Sequence, residues 1–306
     1  MLYPYKQYSE RTPDTQYQEL LRRIQTEGDY VMPQQEEEAK MIFGHQMRFN
    51  LANGFPIITE RDLVGADEGK LSQFQMAIGE LCAFLNGARR LEEMKRFGCG
   101  WWARWVTPEK CSKRGLEPGD LGPGSYGAAF HDFPTADGKT FNQIQHLIEQ
   151  IKELPHLRTH FVSPWIPQYI GRGSGKTQKV VVAPCHGWFH VHVYVSTNEI
   201  SLHHFQRSAD VPVGLVFNII QYAALLLMIA KITNYMPREL VYTISDAHIY
   251  LTQMKDVQEL LEVQPERFPT VAINPLITDI FDFRPSHFTV CYYHPRLPRR
   301  VICTPV

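Results

Sequence analysis

Residues 180 to 196 read VVVAPCHGWFHVHVYVS. From Cys185 the odd positions are Cys185, Gly187, Phe189, Val191, Val193 and Val195, and the even ones are His186, Trp188, His190, His192 and Tyr194. Successive side chains of a strand point to opposite faces, so this alternation predicts a strand over 186–195 with its odd face in the core. The even face is too aromatic and apolar for solvent, and is expected to meet another sheet or subunit. After the polar STNE at 196–199, ISLHHFQRSAD at 200–210 predicts an antiparallel partner. A turn centred on Thr197-Asn198 makes opposite positions sum to roughly 395. Arg207 to Asp210 then lie beside Cys185 and His186.

Elsewhere the periodicity changes. Helical spacing covers Gln16 to Thr26 and Gln73 to Leu85, the latter ending at Asn86-Gly87, and it returns from Phe141 to Leu154. MIFGHQMRFNL at 41–51 reads as a strand with a turn at Ala52-Asn53-Gly54, and Arg158 to Trp165 is also strand-like. Gly98 to Phe133 has no lasting period and predicts a long irregular region, where function often lies. The apolar stretch Val211 to Ile232 is long enough for a membrane span. Asn218, Gln221 and Tyr222 mark a polar stripe along it, which predicts a buried helix instead. No repeat or linker divides the chain, so one α+β domain is expected.

Composition narrows the function classes. Lys+Arg 31 against Asp+Glu 32 leaves no basic excess for a duplex-binding surface, and neither nucleic acid nor membrane is an expected partner. The six cysteines form no CxxC pair, which predicts a reducing compartment without a disulfide framework. The N-terminal MLYPYKQYSERTPDTQYQ lacks a signal pattern, so the expected location is cytoplasmic, or the host cytoplasm if the chain is viral. GRGSGK at 171–176 fails the GxxxxGK[ST] phosphate-loop spacing. His190, His192, His203 and His204 could be read as zinc ligands, but no carboxylate or cysteine shares their face, and no metal is expected. Cys185 beside Arg207 suggests a nucleophile, since a guanidinium favours the thiolate; packing is the alternative.

Together, APCH at 183–186, QRSADV at 206–211, GLVFN at 214–218 and SDAHIY at 245–250 resemble the thymidylate synthase family. FGHQMRFNLANGFPIIT at 43–59, GELCAFLNG at 79–87, WARW at 102–105, GDLGPGSYG at 119–127 and VSPW at 162–165 match in the same order. The resemblance implies a single thymidylate-synthase-like α+β domain whose twisted mixed sheet packs back to back in a homodimer. It implies Cys185 as the nucleophile adding to C6 of a pyrimidine nucleoside monophosphate, with 5,10-methylenetetrahydrofolate as cosubstrate. Arg207 would lower the thiol pKa and bind phosphate together with Ser208. Glu80 resembles the acid-base residue acting through water, and Tyr126 the group assisting loss of the C5 proton. Asn218 resembles the amide that reads the base, and its donor-acceptor pair favours uracil over cytosine. His248 and Tyr250 resemble the pair on the sugar hydroxyl. Asp210 is placed among the substrate and folate contacts, and Trp102 and the terminal Val306 at the folate.

The departures are equally specific. The arginine that the family places before the FGHQMRFN strand is replaced by the acidic MPQQEEEAK. Its paired arginines, donated across the dimer, appear as Arg158 followed by Thr159, and the residues after Tyr126-Gly127 are AAFHDF. Each lost charge-assisted contact is worth roughly 1.5 to 3 kcal/mol. Either Lys40, Arg61 or another cation compensates, or the ligand is held differently. The family also contains hydroxymethylases, in which water replaces the folate hydride, and the divergence at these positions favours a 5-hydroxymethyl-dUMP product over dTMP. A third reading, a non-catalytic nucleotide-binding homologue, conflicts with the presence of Cys185, Glu80, Asn218 and Asp210.

Overall fold

The computed structural model describes residues 5–305. Six strands form the main sheet: β1 (Asp29–Val31), β2 (Ala39–Asn50), β3 (Phe161–Val162), β4 (Trp188–Tyr194), β5 (Glu199–Asp210) and β6 (Met236–Tyr250), in the order β1-β2-β6-β5-β4-β3. All neighbours are antiparallel except β5 and β6, which run parallel. A parallel pair cannot be closed by a tight turn. Here the connection is the helix Val216–Thr233, preceded by a π turn at Val211–Leu215.

That connecting helix is the axis of the core. It is the one helix among the described residues that is long and apolar enough to cross a membrane, but it is almost wholly buried, with Ile220, Ala223 to Ile229 and their neighbours at or near zero exposure. It packs against the sheet on one side and against Gln73–Leu85 on the other. Gln16–Glu27 covers β2 with Tyr17, Leu20, Leu21 and Ile24. Ser72 caps the helix Gln73–Leu85 in a capping box with Gln75, which fixes its predicted start. The expected Phe141–Leu154 helix is Gln143–Glu153, capped by the Asn142 side chain.

The hairpin forms with a different register. Trp188 faces Phe205 and Tyr194 faces Glu199, so the turn centres one residue earlier than predicted, on Ser196-Thr197. Such a change moves the pairing by two residues and therefore preserves which side chains share a face. Phe189, Val191 and Val193 are buried as expected, and His190 and His192 lie on the outer side. His186 departs from the pattern. Gly187 has φ +103, outside the strand region, and His186 turns into the core at 7% exposure. The strand-like segment 158–165 is reduced to Phe161–Val162, and the irregular region 98–133 contains short helical turns at Trp101–Arg104, Pro108–Ser112 and Tyr126–His131.

A second irregularity runs across the sheet. In β2 the buried positions change from Ile42 to Met47 and Phe49; in β6 they change from Leu240, Tyr242 and Ile244 to Ala247 and Ile249; in β5, from Leu202, His204 and Gln206 to Ala209. Each strand thus switches parity. The ladder is interrupted at the same level, at Gly44, Ser245 and Arg207, and Gly44 takes φ +88. The outer side of the sheet exposes Phe43, by 79%, and Phe205 on either side of this line, with Phe161 on the edge strand.

Gly187 provides a direct check on the fold. A Cβ there would come 3.1 Å from Phe130 Cζ and from Pro164 Cγ at a positive φ. Gly187→Ala is expected to lower stability by about 1–3 kcal/mol in reversible denaturant unfolding, and an unchanged midpoint would show that this backbone turn is not strained by a side chain.

Candidate active site

Cys185 stands just before the turn at Gly187, and its backbone is held from both sides. Its N–H donates to the Tyr126 hydroxyl at 2.7 Å, and its carbonyl accepts from Arg207 N–H at 2.7 Å. The Arg207 guanidinium donates from Nη2 to Cys185 Sγ at 3.2 Å and from Nε to Pro184 O at 3.2 Å. The pairing of β4 with β5 brings these two residues together, and the interruption at Arg207 lets its side chain reach the thiol. Burial pushes the Cys185 thiol up, Arg207 pulls it down, and the Asp246 carboxylate pushes it up again; the balance lies above the ordinary thiol value. The guanidinium thus acts in the expected lowering direction and offsets burial without overcoming it.

Cys185, Arg207 and Ser208 line a cleft of about 1380 Å³ together with Asp246, His248 and Tyr250. Asp246 accepts from the Ser208 hydroxyl at 2.7 Å and pairs with His248 Nδ1 at 2.9 Å, so one carboxylate orients both side chains. A second cavity of about 390 Å³ is lined by Glu80, Asp210 and Asn218, by Trp101, Trp102 and Trp105, and by the tail residues Val301 to Thr304. Trp105 belongs to both walls. The indoles offer flat apolar surface, and Asp210 offers a buried acceptor. Gln253 donates to both Asp210 oxygens and to Cys303 O, and Thr304 also bonds to Asp210. Burial raises the Asp210 pKa against these hydrogen bonds.

From the second cavity a row of polar side chains runs into the apolar core. Glu80 accepts from Trp102 Nε1 and from Gln221 Nε2, both at 2.6 Å. Gln221 Oε1 accepts from Asn218 Nδ2 at 2.9 Å, and Asn218 Oδ1 accepts from Gln206 Nε2 at 3.0 Å. Tyr242 then donates to Gln206 Oε1. The stripe Asn218, Gln221, Tyr222 read from the sequence is this row and its neighbour; Gln206 opens the QRSADV block without a role assigned to it, and Gln253 lies outside the quoted motifs. Burial raises the Glu80 pKa, with the bonds from Gln221, Trp102 and Cys99 acting in the opposite direction.

Tyr126 lies against Cys185 but is 2% exposed, stacked between Phe84 and His186, and is not among the residues lining either cavity. His186 is neutral: burial pushes it down to about 3, and its Nδ1 is 2.7 Å from the Tyr222 hydroxyl. The four histidines considered as zinc ligands are split between faces. His190 and His203 are paired on the outer side, whereas His204 is buried and accepts from Gly187 N–H. Among the described residues no three His, Cys, Asp or Glu side chains gather as a metal site.

The expected substitutes for the missing arginines are occupied elsewhere. Lys40 donates to Gln25 O at 2.7 Å and lies over the Tyr30 ring, while Arg61 is buried against Pro212 O and Arg300 O and faces the second cavity. Arg158 is exposed ahead of β3 and lines neither cavity of its own chain. Val306 lies outside the described residues.

A thiol held by a guanidinium in a polar cleft, an indole-lined cavity and a buried row of amides behind it now stand beside a comparison of the whole chain. The family model described as thymidylate synthase matches residues 15–302. The chain belongs to the thymidylate synthase family, whose reaction is folate-dependent transfer of one carbon to C5 of a dUMP-like substrate.

Proposed function

We propose that the chain is a uracil-nucleotide 5-hydroxymethylase, using Cys185 as nucleophile and methylenetetrahydrofolate as one-carbon donor. The observation that carries this reading is the placement of Cys185 and Arg207 in one cleft, with Glu80 and Asn218 on the adjoining cavity. The folate supplies the methylene; the remaining steps belong to side chains of this chain. As the thiol loses its proton, Arg207 stabilises the sulfur anion that adds to C6, which makes C5 nucleophilic. Asn218 retains one N–H and one lone pair beyond its bonds to Gln221 and Gln206, a match for O4 and N3–H of uracil. Burial raises the Glu80 pKa, which suits this carboxylate to taking up and releasing a proton during the reaction. Tyr126 keeps the nucleophile's backbone in place and assists departure of the C5 proton. His248 and Tyr250 hold the sugar hydroxyl, and Trp102 and Asp210 the folate ring.

Water as the final reactant is supported by the chemistry at the tail. Thr304 and Cys303 line the second cavity, and Asp210 and Arg104 add charge to its wall. Such groups can hold water beside an exocyclic methylene, whereas hydride transfer requires water to be excluded. Thymidylate synthesis is the second reading, and the tail already bonded to Gln253 over an indole wall is what favours it. The exposed outer face of the sheet, with Phe43, Phe205 and Phe161, fits burial against a second copy, from which Arg158 would reach the partner's phosphate.

Incubation with dUMP and methylenetetrahydrofolate, followed by mass spectrometry, is expected to give 5-hydroxymethyl-dUMP and tetrahydrofolate. A methyl product with dihydrofolate would establish the second reading. Cys185→Ser should give neither product while still binding dUMP, and full turnover would exclude thiolate addition.

Alkylation of Cys185 by iodoacetamide, read by peptide mass to separate it from the exposed Cys291 and Cys303, should rise with pH into the alkaline range. Arg207→Gln removes the one group that lowers this thiol's pKa, so its midpoint should move upward and the rate at pH 7.5 fall by about three- to tenfold. An unmoved midpoint would refute activation by Arg207.

Sedimentation should give twice the chain mass of 35.4 kDa. Phe43→Asp combined with Phe205→Asp should shift the mass to that of one chain; a monomeric parent protein would rule out the pairing.

A further inference from the structure

The nucleotide cleft holds far more positive charge than the chain as a whole. Its walls carry Lys110, Lys113, Arg114, Arg172, Lys176 and Arg207 against only two carboxylates, Glu36 and Asp246, and His248 adds a titratable group. The whole chain, by contrast, has a formal charge of −1. Some of these cations already have partners. Lys113 pairs with Glu109 at 2.6 Å, and Lys110 donates to Arg104 O and lies over the Trp105 ring. Arg114, Arg172, Lys176 and Arg207 form no ion pair among the described residues.

Arg172 and Arg114 are the informative pair. Arg172 donates through Nε to Gln178 and through Nη1 to Gln34 Oε1 at 2.8 Å. Two neutral amides from separate segments therefore fix the plane of a guanidinium without neutralising it. Gln34 belongs to MPQQEEEAK, the segment that replaced an arginine of the family pattern, and Arg172 to the GRGSGK run that met no phosphate-loop spacing. Arg114 donates from Nη1 to Lys110 O at 2.8 Å, while its Nε is buried with no partner among the described residues. Buried donors are rarely left unpaired, and a bidentate oxyanion is the ligand suited to a guanidinium. Burial lowers the Arg114 pKa and the Arg172 charge lowers it further, so the two cations repel until an anion separates them.

We propose that Arg114 and Arg172, with Lys176, form an anion subsite at the rim of the nucleotide cleft that takes a phosphate group of the substrate from within one chain. This rests on the nucleotide reading above and adds to it the residues that replace the missing arginines. The charge is delivered in cis, by a glycine-bearing loop in which Gly173 and Gly175 adopt positive φ.

The test is equilibrium binding to the full-length protein without folate. Arg172→Gln should weaken dUMP by about tenfold or more and leave deoxyuridine unchanged, with Arg172→Lys recovering part of the loss. Inorganic phosphate should compete with dUMP on the parent protein and much less on Arg172→Gln. Because Arg172 is exposed, its replacement spares the core, and Lys176→Gln gives an independent variant expected to act in the same direction. Unchanged dUMP affinity in both variants overturns the subsite. So does a loss confined to folate KM, which would assign these cations to the folate carboxylates. If the parent protein binds phosphate in an Arg172-dependent way but not dUMP, the nucleotide reading falls while the anion subsite stands.

Discussion

A carboxylate removed from water must be given hydrogen bonds, and the position of Glu80 imposes this requirement on the buried amides behind the second cavity. Gln221 can meet it only by turning its Nε2 toward the carboxylate. Its oxygen is then free for Asn218 Nδ2, so Asn218 Oδ1 faces Gln206, whose own oxygen receives the Tyr242 hydroxyl. Each amide has two possible orientations in isolation, and the charge at one end selects one for all three. The donor and acceptor that Asn218 has left for a base are consequently fixed before any ligand arrives. Preorganisation of this kind removes the cost of reorienting dipoles during reaction.

The sheet solves a different problem, that of placing a cation beside a thiol at the end of a core strand. An uninterrupted strand would keep Arg207 on the face of His203 and Phe205. The break shared by Gly44, Ser245 and Arg207 gives that side chain its route to Cys185, while Ala209 takes over the inward positions. Gly187 acts on the neighbouring strand, where its positive φ sends His186 inward to Tyr222 and leaves Cys185 at the cleft.

Much of this was legible in the chain. Strand alternation separated the faces of β4, and parity survived the one-residue error in the turn because pairing moves in steps of two. The buried helix and its polar stripe followed from Asn218, Gln221 and Tyr222 in an otherwise apolar run. The resemblance named Cys185, Arg207, Asn218 and Glu80, all of which line the two cavities. What periodicity could not supply were the places where backbone conformation departs from it. Alternation extended through Gly187 puts His186 on the outer face, but the positive φ there turns it inward, and adjacent His203 and His204 necessarily face opposite sides of the strand. The central β6 was visible only through its SDAHIY end, since its inward positions change parity halfway. Arg114 and Arg172 sit in segments without a period, where only the three-dimensional cleft shows that they face the same space.

The break across the sheet has a geometric consequence. Phe205 and Arg207 are two residues apart on one strand, one in the exposed aromatic patch and the other in the wall of the cleft. The patch and the reacting centre are thus neighbouring districts of one continuous surface. Whatever covers Phe205 brings its own atoms to the edge of the cleft and narrows the approach to it. Covering the aromatic patch and shaping the entrance to the thiol are, for this sheet, a single structural event.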